Sequence, residues 1–234
     1  MSHAFDAEIF DSLKEDVGGV IRAVIAGVAT RRGRAMDMGC GVGRYLPLLS
    51  RAFAEVHGTD WSPGCVRRAA QVARLLPNVT VRSTRAYRSA QWTGYFSVVT
   101  AVNVLFDPLE RRRALLLGEM RRLLSRRGAL VLVVPSLEAI VYADAVRRRV
   151  APRIRSLYEF AVPASRRDPG ILRIEGVPYK HWVGEELQLV LRDHGFRAGP
   201  LQRVEYRWDT EVAAPQPVRG LALPWDWLVV ARRT

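Results

Sequence analysis

At 234 residues the chain is long enough to bury one α/β core with room for a small insertion. Its composition, 49% hydrophobic and 25% charged, excludes a disordered or fibrous protein. The net charge of +13 invites a polyanionic partner, yet of the 36 basic residues all but Lys14 and Lys180 are arginines, scattered in doublets and triplets with no base-reading module.

From the N-terminus, Phe5, Ile9, Leu13, Val17, Val20, Ile21, Val24, Ile25 and Val28 fall at helical spacing. They predict a helix over 5–29 that Gly18-Gly19 bends or interrupts. Arg34 to Met38 reads as a short strand ending on glycines, and Leu46 to Phe53 as a helix with Pro47 in its first turn. Glu55 to Thr59 is a second strand, followed by a helix from Pro63 to Leu76 that Ser62 caps. Val79 to Val81 and Tyr95 to Val104 are the third and fourth strands. Leu109 to Leu124 predicts a helix with Gly128 just beyond it, and Ala129 to Val134 is the continuous apolar run of a strand covered on both faces.

Strands thus alternate with helices over 34–134, the pattern of a doubly wound, mainly parallel sheet. After Pro135 the rhythm changes to a basic helical stretch (Leu137 to Tyr158) and then a loop containing proline and glycine. This segment is an insertion, too short for a core of its own. Glu185 to His194 predicts a helix closed by Gly195, and Arg203 to Glu211 with Trp225 to Ala231 a late strand pair forming an antiparallel edge. The expected fold is therefore α/β: a doubly wound, mainly parallel seven-stranded sheet, an antiparallel C-terminal edge and a helical insertion after the fifth strand. We expect one domain, in which an N-terminal helical segment (1–30) precedes a cofactor-binding core (34–134), a lid (137–180) and a C-terminal helix with its strand pair (181–234).

Cys40 and Cys65 are too few for a disulfide framework and belong to no metal-ligand cluster. The acidic N-terminus is wrong for a signal peptide, and the apolar runs fall well short of the ~20 residues that span a bilayer. A cytoplasmic protein without membrane attachment is expected, as monomer or homodimer.

Closely spaced glycines between a strand and a helix let backbone approach a ligand without a Cβ in the way. The dinucleotide fingerprint counted from Gly39 would need glycine at position 44, where Arg44 stands. Here the glycines instead recur at every second residue, Gly39, Gly41 and Gly43, two residues after Asp37, and a second acid, Asp60, ends the next strand.

In this spacing the chain resembles the class I S-adenosylmethionine-dependent methyltransferases, whose first motif is an acid followed by Gly-x-Gly-x-Gly. The resemblance implies that Asp37, Gly39, Cys40, Gly41 and Gly43 hold the methionine and ribose part of S-adenosylmethionine, with S-adenosylhomocysteine as product. It implies that Asp60 accepts from both ribose hydroxyls and that Trp61 packs on adenine. After the third strand the family often has an acid that reads the adenine amino group. The stretch Arg82 to Tyr87 has none, leaving Thr84 or a backbone group for that role. Asn103-Val104-Leu105-Phe106-Asp107 is similar to the family's segment after the fourth strand, so Asn103 and Val104 should line the methionine end. Glu186-Leu187 and Gly195-Phe196 match the family in outline near the C-terminus.

Methyl transfer needs nucleophile, methyl carbon and sulfur in line, and a base only if the acceptor keeps its proton. The spacing of acids and histidines suggests no metal site. Among the histidines, His57 lies within a strand and His194 at a helix end, where structural roles suffice. His181, after the insertion, is the expected base, with Tyr179 beside it; Tyr158 and Glu159 are weaker candidates for acceptor contacts. The expected acceptor is a small molecule, acidic if Arg147 to Arg149 and Arg153 of the lid face it. RNA or another macromolecule is the alternative, lowered by the absence of the Asn/Asp-Pro-Pro-Tyr/Phe signature of nucleic-acid amino methylation. A nicotinamide oxidoreductase and a non-catalytic scaffold are further alternatives, the first disfavoured by Arg44 and the second by the presence of both Asp37 and Asp60.

Overall fold

The computed structural model describes residues 16–150, 158–159, 170–174, 176–208 and 220–234. Helix α1 (Val20–Val28) starts where Gly19 takes a left-handed conformation, φ 65°, so the glycine pair breaks the helical pattern as its backbone freedom suggests. Asp16 caps the helix, its carboxylate accepting from the Val20 and Ile21 N–H groups at 2.9 and 2.8 Å. The part of the expected helix before Asp16 lies outside the described residues.

The elements that follow are β1 (Arg34–Met38), α2 (Leu46–Ala52), β2 (Glu55–Asp60), α3 (Pro63–Ala73), β3 (Val79–Ser83), β4 (Phe96–Val102), α4 (Glu110–Leu123) and β5 (Leu124–Pro135). Beyond them come α5 (Leu137–Val150), β6 (Tyr158–Glu159), β7 (Ile171–Ile174), β8 (Val177–Lys180), α6 (Gly184–Asp193), β9 (Phe196–Glu205) and β10 (Trp225–Arg233). Seven strands form one sheet in the order β3-β2-β1-β4-β5-β10-β9. The first five are parallel, and β10 runs antiparallel between β5 and β9. This is the expected doubly wound sheet with its antiparallel edge.

Both faces of the sheet are covered, which is why β5 reads as an unbroken apolar run. Leu130, Leu132 and Val134 pack towards α4 and α6, while Ala129, Val131 and Val133 pack towards α1 and α2. Among the described residues no helix is long and apolar enough to cross a membrane.

Two sequence expectations are corrected. The strand expected over Arg203 to Glu211 begins earlier, at Phe196, directly after Gly195 turns the chain out of α6 with φ 75°. β9 is an edge strand with buried residues only at Phe196 and Val204, so it lacks a clear apolar alternation, and Pro200 is tolerated there because an edge leaves N–H groups unpaired. The expected loop after the insertion helix instead contains a hairpin, β7 and β8, to which β6 adds. Tyr158 therefore lies on a strand pairing with Ile174, not on the helix, which ends at Val150.

Candidate cofactor and acceptor site

The parallel strands β1, β2 and β4 end at one edge of the sheet, and their connecting loops gather there. Gly39, Gly41 and Gly43 have φ of 73°, 54° and 90°, a region that side chains other than glycine rarely adopt. A Cβ on Gly39 would stand 2.7 Å from Val104 Cγ2, and one on Gly43 would stand 2.9 Å from Leu46 Cδ1. Asp60 holds this loop against the next one: its Oδ2 accepts from the Gly41 N–H at 3.0 Å and its Oδ1 from the Ser62 N–H at 2.8 Å. Each oxygen keeps a further lone pair. Ser62 in turn caps α3, accepting from the Cys65 N–H.

Asp37 is buried on β1, and Thr100 of the neighbouring β4 donates to its Oδ1 at 2.9 Å. Its other oxygen, Oδ2, is buried without a hydrogen-bond partner. Burial above all lifts this carboxyl to about 7, the Asp60 charge adds to the rise, and the Thr100 hydrogen bond opposes it. A buried carboxylate oxygen with no donor suits a ligand cation, and a primary ammonium supplies three N–H groups. The Cys40 thiol, buried in the same loop, is pushed well up by burial and by Asp37, so it stays protonated.

Trp61 stands 79% exposed after β2, and Thr84 opens the short turn after β3, its hydroxyl 3.4 Å from that of Thr59. Asn103 follows β4 with φ 51°, the one positive value among the described residues other than glycine. Its Nδ2 donates to Asp226 Oδ2 at 3.0 Å, while its Oδ1 is buried and unpartnered. Thr100 and Asp226 were not expected from the sequence. The signal for Asp226 is a lone acid between tryptophans in an otherwise apolar strand.

Residues 180–182 run along the same edge. The Lys180 N–H donates to Phe106 O, and Trp182 bonds Pro135 O through its backbone and Leu105 O through its indole at 2.8 Å. His181 between them is buried, and Tyr179 packs on Phe106 at 5.5 Å between ring centroids. The structure thus brings His181 and Tyr179 to the sheet's carboxyl edge, beside the loop that carries Asn103. Of the weaker acceptor candidates, Tyr158 and Glu159 form the short strand β6. Of the lid arginines, Arg147 and Arg148 both pair with Asp144 at 2.9 Å, and Arg153 lies outside the described residues. His57 is structural as expected, bonded to Tyr87 and Glu55 within an aromatic cluster. Although partial burial works against it, hydrogen bonds from His57 and Tyr95 hold the Glu55 carboxyl below its ordinary value.

Sheet order and loop geometry together define the class I methyltransferase fold. Residues 35–128 match the family model described as a methyltransferase domain, which covers the segment from β1 into β5. No curated protein matches the chain by sequence. Among solved structures, a methyltransferase from Methanosarcina mazei is similar, with TM-score 0.65 and 19% identity over 90% of this chain and 96% of the other. Another, from Mesorhizobium loti, gives TM-score 0.62 and 20% identity over 94% and 98%. The 1,6-didemethyltoxoflavin-N1-methyltransferase of Burkholderia thailandensis, solved with S-adenosylhomocysteine, gives 0.62 and 15% over 91% and 76%. Residues 35–128 thus match a methyltransferase domain, and the fold of the chain as a whole is that of these solved methyltransferases.

The glycine loop makes a direct prediction. Gly39→Ala forces a side chain into left-handed backbone and against Val104, so it should cost about 1–3 kcal/mol of stability and weaken S-adenosylhomocysteine binding. Thermal melts with and without that ligand read both effects.

Proposed function

We propose that this chain is a class I S-adenosylmethionine-dependent methyltransferase that methylates an oxygen, nitrogen or carbon of a small molecule, without a metal, as a tailoring enzyme of the cytoplasm. The observation that carries the donor half is the orphaned Asp37 Oδ2 beside the glycine loop. In this reading Asp37 holds the methionine ammonium, Asp60 takes the ribose hydroxyls on its spare lone pairs, and Trp61 offers adenine a flat apolar face. Thr84 sits where the adenine edge would be read, and Val104 lies over Gly39 with the donor's methionine end. When bound, the cofactor supplies a methyl group on a sulfonium centre.

The chain's own residues do the rest. The loops at the carboxyl edge fix the donor so that an acceptor approaches along one line, which is where much of the rate originates. His181 takes the proton from an acceptor that arrives protonated, and Tyr179 with Phe106 forms an apolar wall beside it. The segment 137–180 acts as the lid. Arg147 and Arg148 share the single carboxylate of Asp144, which offsets one of their two charges, so the helix keeps a net positive charge that would favour an acidic acceptor.

Arginine placement elsewhere favours a small molecule over nucleic acid. Several arginines point inward to backbone carbonyls, among them Arg113 to Asp107 O, Arg121 to Gly195 O, Arg122 to Tyr87 O and Arg233 to Leu124 O. The Burkholderia enzyme of the same fold was solved with bound 1,6-didemethyltoxoflavin, which is consistent with this choice.

The test is a screen of small nucleophiles with isotopically labelled donor, alongside RNA binding titrated with salt. Methylation of a small molecule that fails in His181→Gln but recovers at higher pH supports the reading. Tight RNA binding with a steep salt slope, and no small-molecule turnover, would sink it.

A further inference from the structure

Asn103 and Asp226 are 123 residues apart in sequence and meet over the end of β5. Asp226 opposes Pro135, the last residue of β5, and the Asn103 N–H donates to Val133 O on the same strand. The Asp226 side chain is 2% exposed. A carboxylate only accepts hydrogen bonds, so it compels the Asn103 amide to present Nδ2 to it and to turn Oδ1 away. That oxygen is then left buried with no donor, on a residue already held at φ 51°.

Asparagine tolerates the left-handed backbone better than most residues, so the orphaned oxygen is the feature that needs a partner. A left-handed asparagine costs conformational energy, and an unsatisfied buried carbonyl costs more. An orphaned acceptor at a ligand edge points to a ligand donor. A second orphaned acceptor, Asp37 Oδ2, lies on the adjacent parallel strand β1. Two acceptor oxygens without donors, one on β1 and one just past the end of the neighbouring strand β4, match one group with several N–H bonds.

We propose that Asp226 is a positioning residue for the donor's ammonium: it turns the Asn103 amide so that Oδ1 joins Asp37 Oδ2 in receiving the ammonium N–H groups. The inference rests on the cofactor lying across Gly39 to Gly43. Asp226 touches no reacting atom in it. Its carboxylate sets which face of an amide the cofactor meets, and so couples the C-terminal strand pair to donor binding.

Calorimetric titration with two ligands tests this: S-adenosylhomocysteine, which has the ammonium, and 5′-methylthioadenosine, which shares the nucleoside and sulfur but lacks the amino-acid end. Asp226→Asn frees the amide to flip and should weaken S-adenosylhomocysteine about tenfold, the scale of one hydrogen bond to a charged group. Methylthioadenosine should bind as before. Combining Asn103→Asp with Asp226→Asn exchanges donor and acceptor across the pair, leaves a carboxylate oxygen facing the ammonium, and should restore most of the loss. If Asp226→Asn does not fold, Asn103→Gly, which suits the left-handed backbone, must show the same ligand-selective loss.

Equal weakening of both ligands, unchanged S-adenosylhomocysteine affinity, or failure of the exchanged pair to recover would overturn the proposal. Absence of S-adenosylhomocysteine binding to the wild-type protein would instead overturn the cofactor site on which it stands.

Discussion

Asp37→Asn should abolish most donor binding while making the free protein less sensitive to pH. The carboxyl has an ordinary value of 3.8 and is lifted to about 7 in the folded chain, chiefly by burial. Between those values the folded state holds a proton that the unfolded state has released. Stability therefore falls as pH rises through that window, by up to about 4 kcal/mol if the whole shift is expressed. A bound ammonium reverses this by pairing with the ionised form. The melting shift produced by S-adenosylhomocysteine should accordingly grow from pH 5 to pH 8 in the wild type. In Asp37→Asn the free protein should lose the fall in stability. Its affinity for the ligand should drop roughly a hundredfold or more, as expected when one partner of a buried charge pair is removed. Melting curves at four pH values, with and without ligand, decide the matter. A variant that keeps the wild-type ligand shift at pH 8 would remove Asp37 from the site.

The second large effect is on stability and lies in the segment after the hairpin. Trp182 is 1% exposed, its indole N–H bonds Leu105 O, and Arg113 and Lys180 lie over its ring at 5.4 and 4.8 Å. Its backbone also bonds Pro135 O and Leu137 N–H, so one residue ties the segment after the hairpin to the ends of β4 and β5. Trp182→Ala leaves a large cavity and an unsatisfied carbonyl, and should cost about 3–5 kcal/mol. For a chain of this size that is a fall of roughly 10–15 °C in Tm. Calorimetric unfolding of the two proteins measures it. Trp182→Phe, which keeps the ring but loses the indole N–H, should fall between them. A change of less than 1 kcal/mol in Trp182→Ala would show that the segment is held by other contacts.

The cofactor half of this molecule is legible in sequence because its determinants are local. Asp37, the alternating glycines and Asp60 lie within one βαβ unit, and each is chosen by backbone conformation or by a strand end. The bond from Asp60 to Gly41 joins two such neighbouring loops. Asp226 is the opposite case. Its role depends on β10 entering the sheet antiparallel between β5 and β9, a pairing that no short motif encodes. Edge strand β9 starts before its expected position for a related reason, since a strand with only two buried residues carries little apolar pattern. The arginines of the insertion helix show a third limit. Their charge is plain in sequence, but Asp144 lies one helical turn away and takes two of them, which only the helix geometry reveals.

The inward arginines carry a consequence for how this surface tolerates change. Arg122 reaches Tyr87 O, Ser89 O and the Thr93 hydroxyl while pairing with Glu119, and Arg121 joins Gly195 O to the chain terminus at Thr234 O. One planar fork fastens several turns at once, which the single ammonium of lysine does not do. Exchange of arginine for lysine, usually silent on a protein exterior, would here untie loops while leaving the net charge unaltered. At Arg121 and Arg122, then, the basic residue serves as joinery between turns as well as carrying charge.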